Sequence, residues 1–281
     1  MPPNPRPVEP NLGLPEFRIQ ERDWFKESRH RFTEEMNLAE RPTMLQEDVA
    51  SMDSNLQRLG SVLNDFKAKW MLDGALNISA LRGEYVGFHK DIDVSLESDQ
   101  LNSLAQSLAS NGENSYGLFH SYKQDGKKYM ERVSPESLKQ EAEGRKRIVA
   151  AIDEHGKIKD GGALLFFEGH IIKRDEQGKP LGKAGVRLPE KWLVPQVVDF
   201  HGAKLNLSHP ARVAYYKLHS AMSSPYHIKD LETLAETKTL SEEDVNDIEH
   251  VINEEAKQYD EVRAKHLISA VAELRKRVAS S

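Results

Sequence analysis

The sequence predicts an α+β protein in which a small mixed sheet is flanked by helices, with further helical regions at both ends. Three observations carry that expectation. Apolar residues recur three and four apart from Phe17 to about Lys69, and again beyond Pro210. Between those regions, from Trp70 to about Leu207, short apolar runs are punctuated by turn signals such as QDGKK and DEQGKP. The composition, 38% apolar and 30% charged over 281 residues, allows a real core together with much exposed helix.

Taken in order, residues 1–16 hold six prolines and almost no large apolar side chains, so they are expected to form an extended tail. Residues 17–69 are expected to be a helical region. FRIQERDWFKESRHRF is one amphipathic segment, Arg41-Pro42 interrupts it, and TMLQEDVASMDSNLQRLGSVLNDFKAKW resumes it. Residues 70–207 are the expected α+β core, with strand-like runs YVGFHKDIDVSL, YGLFHSY, GALLFFEGHII and QVVDFHGAKLNL. Residues 208–281 return to helix, and Ser241 with Glu242 and Asp244 gives SEEDVNDIEHVINEEAKQYDEVRAKHLISAVAELRKRV a capping-box-like start. Trp24, Trp70 and Trp192 are expected to pack in the core or beneath a lid.

Several function classes are excluded by what is missing from the sequence. It has no cysteine, which rules out disulfides, thiolate metal sites and cysteine nucleophiles. No apolar run reaches the roughly 18 to 20 residues that span a bilayer, and the first residues lack the apolar centre of a secretory signal, so a cytoplasmic protein is expected. A net charge of −6 gives no basic footprint for nucleic acid.

The chemistry is concentrated in GALNISALRGEYVGFHKDIDVSLE. If GFHKDIDVSL is a strand, His89, Asp91, Asp93 and Ser95 share one face, while Phe88, Ile92, Val94 and Leu96 share the other. Two carboxylates two residues apart on a rigid strand suit one or two hard divalent cations. An acid-x-acid pair is weak evidence by itself, because 45 acidic residues in this length give about seven by chance. Its context adds weight: Gly74 closes a strand-like run and opens a helix-like one, which offers backbone N–H groups to a phosphate. Glu168, in GALLFFEGHII, supplies a third acid on a face shared with Leu164, Phe166, His170 and Ile172. The plain alternative for it is an edge-strand glutamate facing water.

WMLDGALNISALRGEYVGFHKDIDV resembles the signature of the polymerase-beta-like nucleotidyltransferases, most of all their lincosamide-nucleotidyltransferase-like branch. FFEGHIIKRDEQGKPLG, VVDFHGAKLNLSHPARVAYYKLH and HIKDLETLAE continue the likeness to about Glu236. The resemblance implies that Asp91 and Asp93 ligate Mg2+ (or Mn2+), and that Glu168, where an aspartate is usual, is the third acid. Gly74 and Ala75 would hold the triphosphate, Ala75 standing in place of a second Gly or a Ser. Lys90 replaces a common arginine, His89 would lie behind the metal pair, and Lys217 and Lys229 are candidates for the triphosphate. The plain reading of either lysine is a solvated helix side chain, and His170, Asp199 and His201 carry no assignment.

The implied activity is metal-dependent transfer of a nucleoside monophosphate from an NTP to an acceptor hydroxyl, with release of pyrophosphate. A small hydroxylated or cationic acceptor is favoured over RNA on the acidic balance of the chain. Two alternatives stay open: a toxin-like nucleotidyltransferase acting on RNA or tRNA, and a catalytically silent nucleotide-binding module.

Overall fold

The computed structural model describes residues 18–20, 41, 43–65, 69–89, 92–97, 100, 103–104, 116–124, 127–132, 146–151, 167–221 and 226–281. Lys90, Asp91, Trp24 and the tail at 1–16 lie outside them.

Strand β1 (Arg18–Gln20) is followed by α1 (Gln46–Asp65), β2 (Trp70–Leu72), α2 (Gly74–Arg82) and β3 (Asp93–Glu97). Then come β4 (Tyr116–Gln124), β5 (Lys127–Arg132), β6 (Lys146–Ala151), β7 (Phe167–Arg174) and β8 (Pro180–Leu181). A 3₁₀ turn over Glu190–Leu193 leads to the hairpin β9 (Gln196–Phe200) and β10 (Ala203–Leu207). Helices α3 (Pro210–Ser220), α4 (Tyr226–Glu236), α5 (Glu242–Ala256) and α6 (Glu261–Ser280) close the chain. Among the described residues the strands form one mixed sheet in the order β1-β5-β4-β6-β7-β3-β2-β10-β9, with β8 paired to β7. The α+β expectation holds.

Three local expectations need correction. The FRIQ segment was expected to be helical, but Arg18–Gln20 is a strand, antiparallel to β5 with Ile19 opposite Met130. Three residues fit either period, and an open sheet edge supplies the ladder that decides it. QVVDFHGAKLNL is two strands, because His201 (φ 52°) and Gly202 (φ 76°) form a left-handed turn between them. Among the described residues of GFHKDIDVSL, Ile92 and His89 lie outside the strand that begins at Asp93, so His89 does not share its face.

Two cores hold these elements. In the first, Met52, Leu56, Leu59 and Leu63, a helical stripe on α1, cover Trp70, Leu72, Val94, Leu96, Leu205 and Leu207 of the sheet. Gly60 permits that approach, since a Cβ there would stand 3.0 Å from the Lys204 carbonyl oxygen. In the second, Ile78 of α2 and the fully buried Trp192 pack with apolar residues of the four C-terminal helices, among them Tyr215, Leu234, Ile248 and Val271. Helix α2 therefore joins the sheet to the helical layer. The capping box at α5 is present, with Ser241 and Asp244 each accepting from the other's backbone N–H.

Candidate functional site

The candidate site forms where β2 ends and α2 begins. Leu72 pairs with Val94 of β3, and the Asp73 N–H donates to the Asp93 carbonyl at 2.8 Å. The chain then turns at Gly74, whose φ of +68° favours glycine. A Cβ at Gly74 would collide with the Asp93 carboxylate, lying 3.2 Å from its Cγ and against Oδ2. The Asp93 carboxylate is thus seated on the first residue of α2, where the helix dipole favours negative charge. Asp73 is the N-cap residue, but its side chain makes no capping bond.

Instead, Asp73 faces inward. Its carboxylate accepts from the Ser95 and Ser208 hydroxyls and from Arg212 Nη1 at 2.5 Å. Arg212, 3% exposed, also donates to Ser95 Oγ at 2.7 Å and Ser208 Oγ at 2.8 Å. Asn77 of α2 donates to the carbonyls of Leu72 and Ser208 at 2.8 and 3.0 Å. This network ties β2, β3, α2 and α3 together behind Gly74. Both Arg212 Nη atoms are used, while Arg212 Nε and Asn77 Oδ1 are buried without a hydrogen-bond partner among the described residues.

Beside Asp93, strand β7 runs parallel to β3 and sets Glu168 opposite Asp93, with His170 opposite Ser95. Neighbouring strands lie about 4.8 Å apart, so Asp93 and Glu168 occupy adjacent positions on the sheet. Carboxylate oxygens are the donors that Mg2+ prefers, and Glu168 holds the register position beside Asp93 on the neighbouring strand. Asp91 lies outside the described residues, and among those residues there is no group of three or more His, Asp or Glu able to hold a metal.

The remaining candidates separate. Ala75 is buried in the first turn of α2. His89 is 6% exposed, and its Nε2 lies 3.2 Å from Ser79 Oγ, a hydroxyl that also bonds the Ala75 carbonyl and the Val86 N–H. Burial, reinforced by the Arg41 charge, holds the His89 imidazole well below the usual histidine range, so it is neutral at pH 7. Lys217 is buried and donates to Asp230 Oδ2 at 2.7 Å. Lys229 is on the surface, 3.4 Å from Glu232, and is not part of that cluster.

Sequence reasoning missed Arg41 and Asp230. Arg41 grips the Asp230 carboxylate with Nε at 3.0 Å and Nη2 at 2.9 Å, donates to the Phe88 carbonyl, and lies 4.8 Å over the Tyr226 ring. Burial alone would raise the Asp230 pKa, but Lys217, His227 and Arg41 together hold it far below the usual carboxylate range. Asp230 stood in the quoted HIKDLETLAE, next to the lysine chosen instead. Asp73 and Arg212 were also missed, and no local pattern announces a pair 139 residues apart.

A mixed sheet with an acid-bearing strand seated on a glycine-led helix is the core of a nucleotidyltransferase-type α+β protein. Residues 55–126, which include the DID motif, match the family described as aminoglycoside-2''-adenylyltransferase. This match upholds the resemblance to the nucleotidyltransferase superfamily seen in the motifs. No curated protein matches the chain. Among solved structures it is similar to an antigenic nucleotidyltransferase-like protein from Paracoccidioides brasiliensis, at 13% identity over 82% of this chain and 91% of that one, TM-score 0.43. It is similar to the lincosamide antibiotic adenylyltransferase LnuA with lincomycin bound, at 13% identity over 68% and 97% of the two chains, TM-score 0.39. A third is ANT(2")-Ia in complex with adenylyl-2"-tobramycin, at 10% identity over 77% and 92%, TM-score 0.39. No helix among the described residues is long and apolar enough to cross a membrane.

Proposed function

We propose that the protein is a metal-dependent nucleotidyltransferase that moves a nucleoside monophosphate from an NTP to a hydroxyl of a small-molecule acceptor. The observation that carries this reading is the Asp93 carboxylate seated on Gly74 at the start of α2, with Glu168 in register beside it. The first turn of α2 offers its dipole and backbone N–H groups to the NTP phosphates. Asp91, Asp93 and Glu168 would hold Mg2+ or Mn2+, which supplies charge neutralisation for the triphosphate and the pyrophosphate leaving group.

The acceptor oxygen attacks the α phosphorus in line, the bond from that phosphorus to the bridging oxygen breaks, and pyrophosphate departs. Glu168 takes the hydroxyl proton. Asp73 and Arg212 touch none of the reacting atoms and act by fixing the Gly74 turn.

The test is incubation of the full chain with each labelled NTP, Mg2+ and a panel of hydroxylated small molecules. Transfer of label to one acceptor, abolished by EDTA and by Asp93→Asn, is expected. Transfer that survives Asp93→Asn overturns the assignment.

A further inference from the structure

Residues 84–89 lead from α2 into the DID motif and lie in neither helix nor strand, and Gly87 adopts a φ of 125°. Backbone outside a ladder is fixed by whatever its N–H and C=O groups and its side chains reach. Here side-chain anchors stand in a row. Tyr85 OH donates to Asp53 Oδ1 of α1 at 2.5 Å. The Val86 N–H donates to Ser79 Oγ of α2 at 3.2 Å, and the same hydroxyl lies 3.2 Å from His89 Nε2. The Phe88 carbonyl accepts from Arg41 Nη1 at 3.3 Å.

The Arg41 anchor differs in kind, because Arg41 stands before α1 and its guanidinium gives each of its nitrogens a different acceptor atom. Nε donates to Asp230 Oδ1 at 3.0 Å, Nη2 to Asp230 Oδ2 at 2.9 Å, and Nη1 is left for Phe88. Lys217 holds Asp230 from α3 at 2.7 Å, and the Tyr226 ring lies 4.8 Å from the guanidinium carbon. The side chains of Arg41 and Asp230 are 9% and 3% exposed, so this two-pronged pair keeps its geometry with little competition from water. Its planarity then aims the remaining nitrogen. One guanidinium joins α4 to the backbone three residues before Asp91.

A tie serving stability alone would repeat others. Helix α2 already reaches the helical layer through Ile78, and the Asp73–Arg212 network already links β2, β3, α2 and α3. What Arg41 adds is a hold on the backbone that enters the acids.

We propose that Arg41 is a positioning residue of the metal site: its guanidinium sets the Phe88 carbonyl and, through it, the path of the chain into Asp91 and Asp93. The inference rests on the nucleotidyltransferase reading and adds to it a residue from before α1. Arg41 touches no reacting atom and acts through the backbone that bears the ligands. Groups that orient metal ligands from outside change metal affinity about 10–100-fold when they are removed. A lysine at this position keeps the charge and a contact with Asp230, but a single ammonium does not reproduce a planar fork that holds Asp230 and Phe88 together.

The experiment compares Mn2+–ATP binding, by electron paramagnetic resonance, with melting temperature in full-length wild type, Arg41→Lys, Arg41→Ala and Asp230→Asn, with binding measured well below each melting point. Arg41→Lys should melt within a few degrees of the wild type and bind Mn2+–ATP about tenfold or more weakly. Arg41→Ala should show losses in both. Asp230→Asn, which keeps the guanidinium but loosens its seat on α4, should weaken Mn2+–ATP binding in the same direction. Ser241→Ala is the control for stability alone, lowering the melting temperature with Mn2+–ATP binding unchanged.

Wild-type Mn2+–ATP affinity in Arg41→Lys or in Asp230→Asn overturns the positioning role, with the transferase reading left standing. Absence of Mn2+–ATP binding from the wild type defeats the transferase reading, and the positioning role falls with it.

Discussion

Asp73 and Asp93 meet at one turn, joined backbone to backbone at 2.8 Å, yet their carboxylates occupy different worlds. Asp73 is surrounded by two hydroxyls and the buried Arg212 guanidinium, all drawn from strands and helices that it holds together. Asp93 is half-buried, seated on a glycine at a helix start, with another acid in register on the next strand. The difference teaches that an acid used for structure is enclosed by donors from several elements, whereas the acid proposed for metal sits at a helix start with another acid in register on the next strand. On the proposed reading, Asp73 serves stability and Asp93 serves turnover.

Breaking the Asp73 side should have the largest effect on folding. Arg212→Leu leaves the Asp73 carboxylate buried with its cation gone, so unfolding in urea should show a loss of about 3–5 kcal/mol. A loss below 1 kcal/mol would mean that the two serines alone satisfy Asp73. Gly74→Val strikes the Asp93 side: its Cβ runs into the Asp93 carboxylate, and φ is strained. Label transfer should fall about a hundredfold, as displacement by an ångström does. NTP affinity should also weaken in calorimetry.

The Asp230 cluster sharpens the comparison through pH. Asp230 has a folded-state pKa below its unfolded value, so its stability contribution is present above the unfolded pKa and is lost as pH falls through the folded one. Wild-type stability should therefore drop progressively below about pH 4, and Asp230→Asn should flatten that limb. Parallel acid limbs in the two proteins would show that Asp230 is not the group responsible.

The smallest effect is expected far from the turn. Ser241→Ala removes the α5 cap and should cost about 1 kcal/mol with no change in NTP binding.

What was legible in the sequence follows from the range of each interaction. The apolar periodicity around Ile92, Val94 and Leu96, the helix opening at Gly74 and the Ser241 cap are all local, and the fold bears them out. The β1 strand was illegible because its period is set by β5, more than a hundred residues away in the chain. The β9–β10 hairpin was hidden because a histidine, His201, and not a glycine or asparagine, takes the first positive-φ turn position beside Gly202. At the site, DID and the glycine stood out, but the partners of Lys217 did not. Whether a helix lysine is solvated or paired depends on Asp230 thirteen residues on and on how α3 and α4 pack. Arg41 was read only as a chain break, although it closes the same pair from the far end of the sequence.

The division of labour between the two acids is tested most directly by Asp73→Asn and Asp93→Asn side by side, each measured for melting temperature and for Mn2+–ATP binding by electron paramagnetic resonance. Asp93→Asn should melt within a few degrees of the wild type and lose Mn2+–ATP binding, while Asp73→Asn should melt well below it. Retention of wild-type Mn2+–ATP binding by Asp93→Asn, or its collapse in stability alongside an undisturbed Asp73→Asn, would contradict the account.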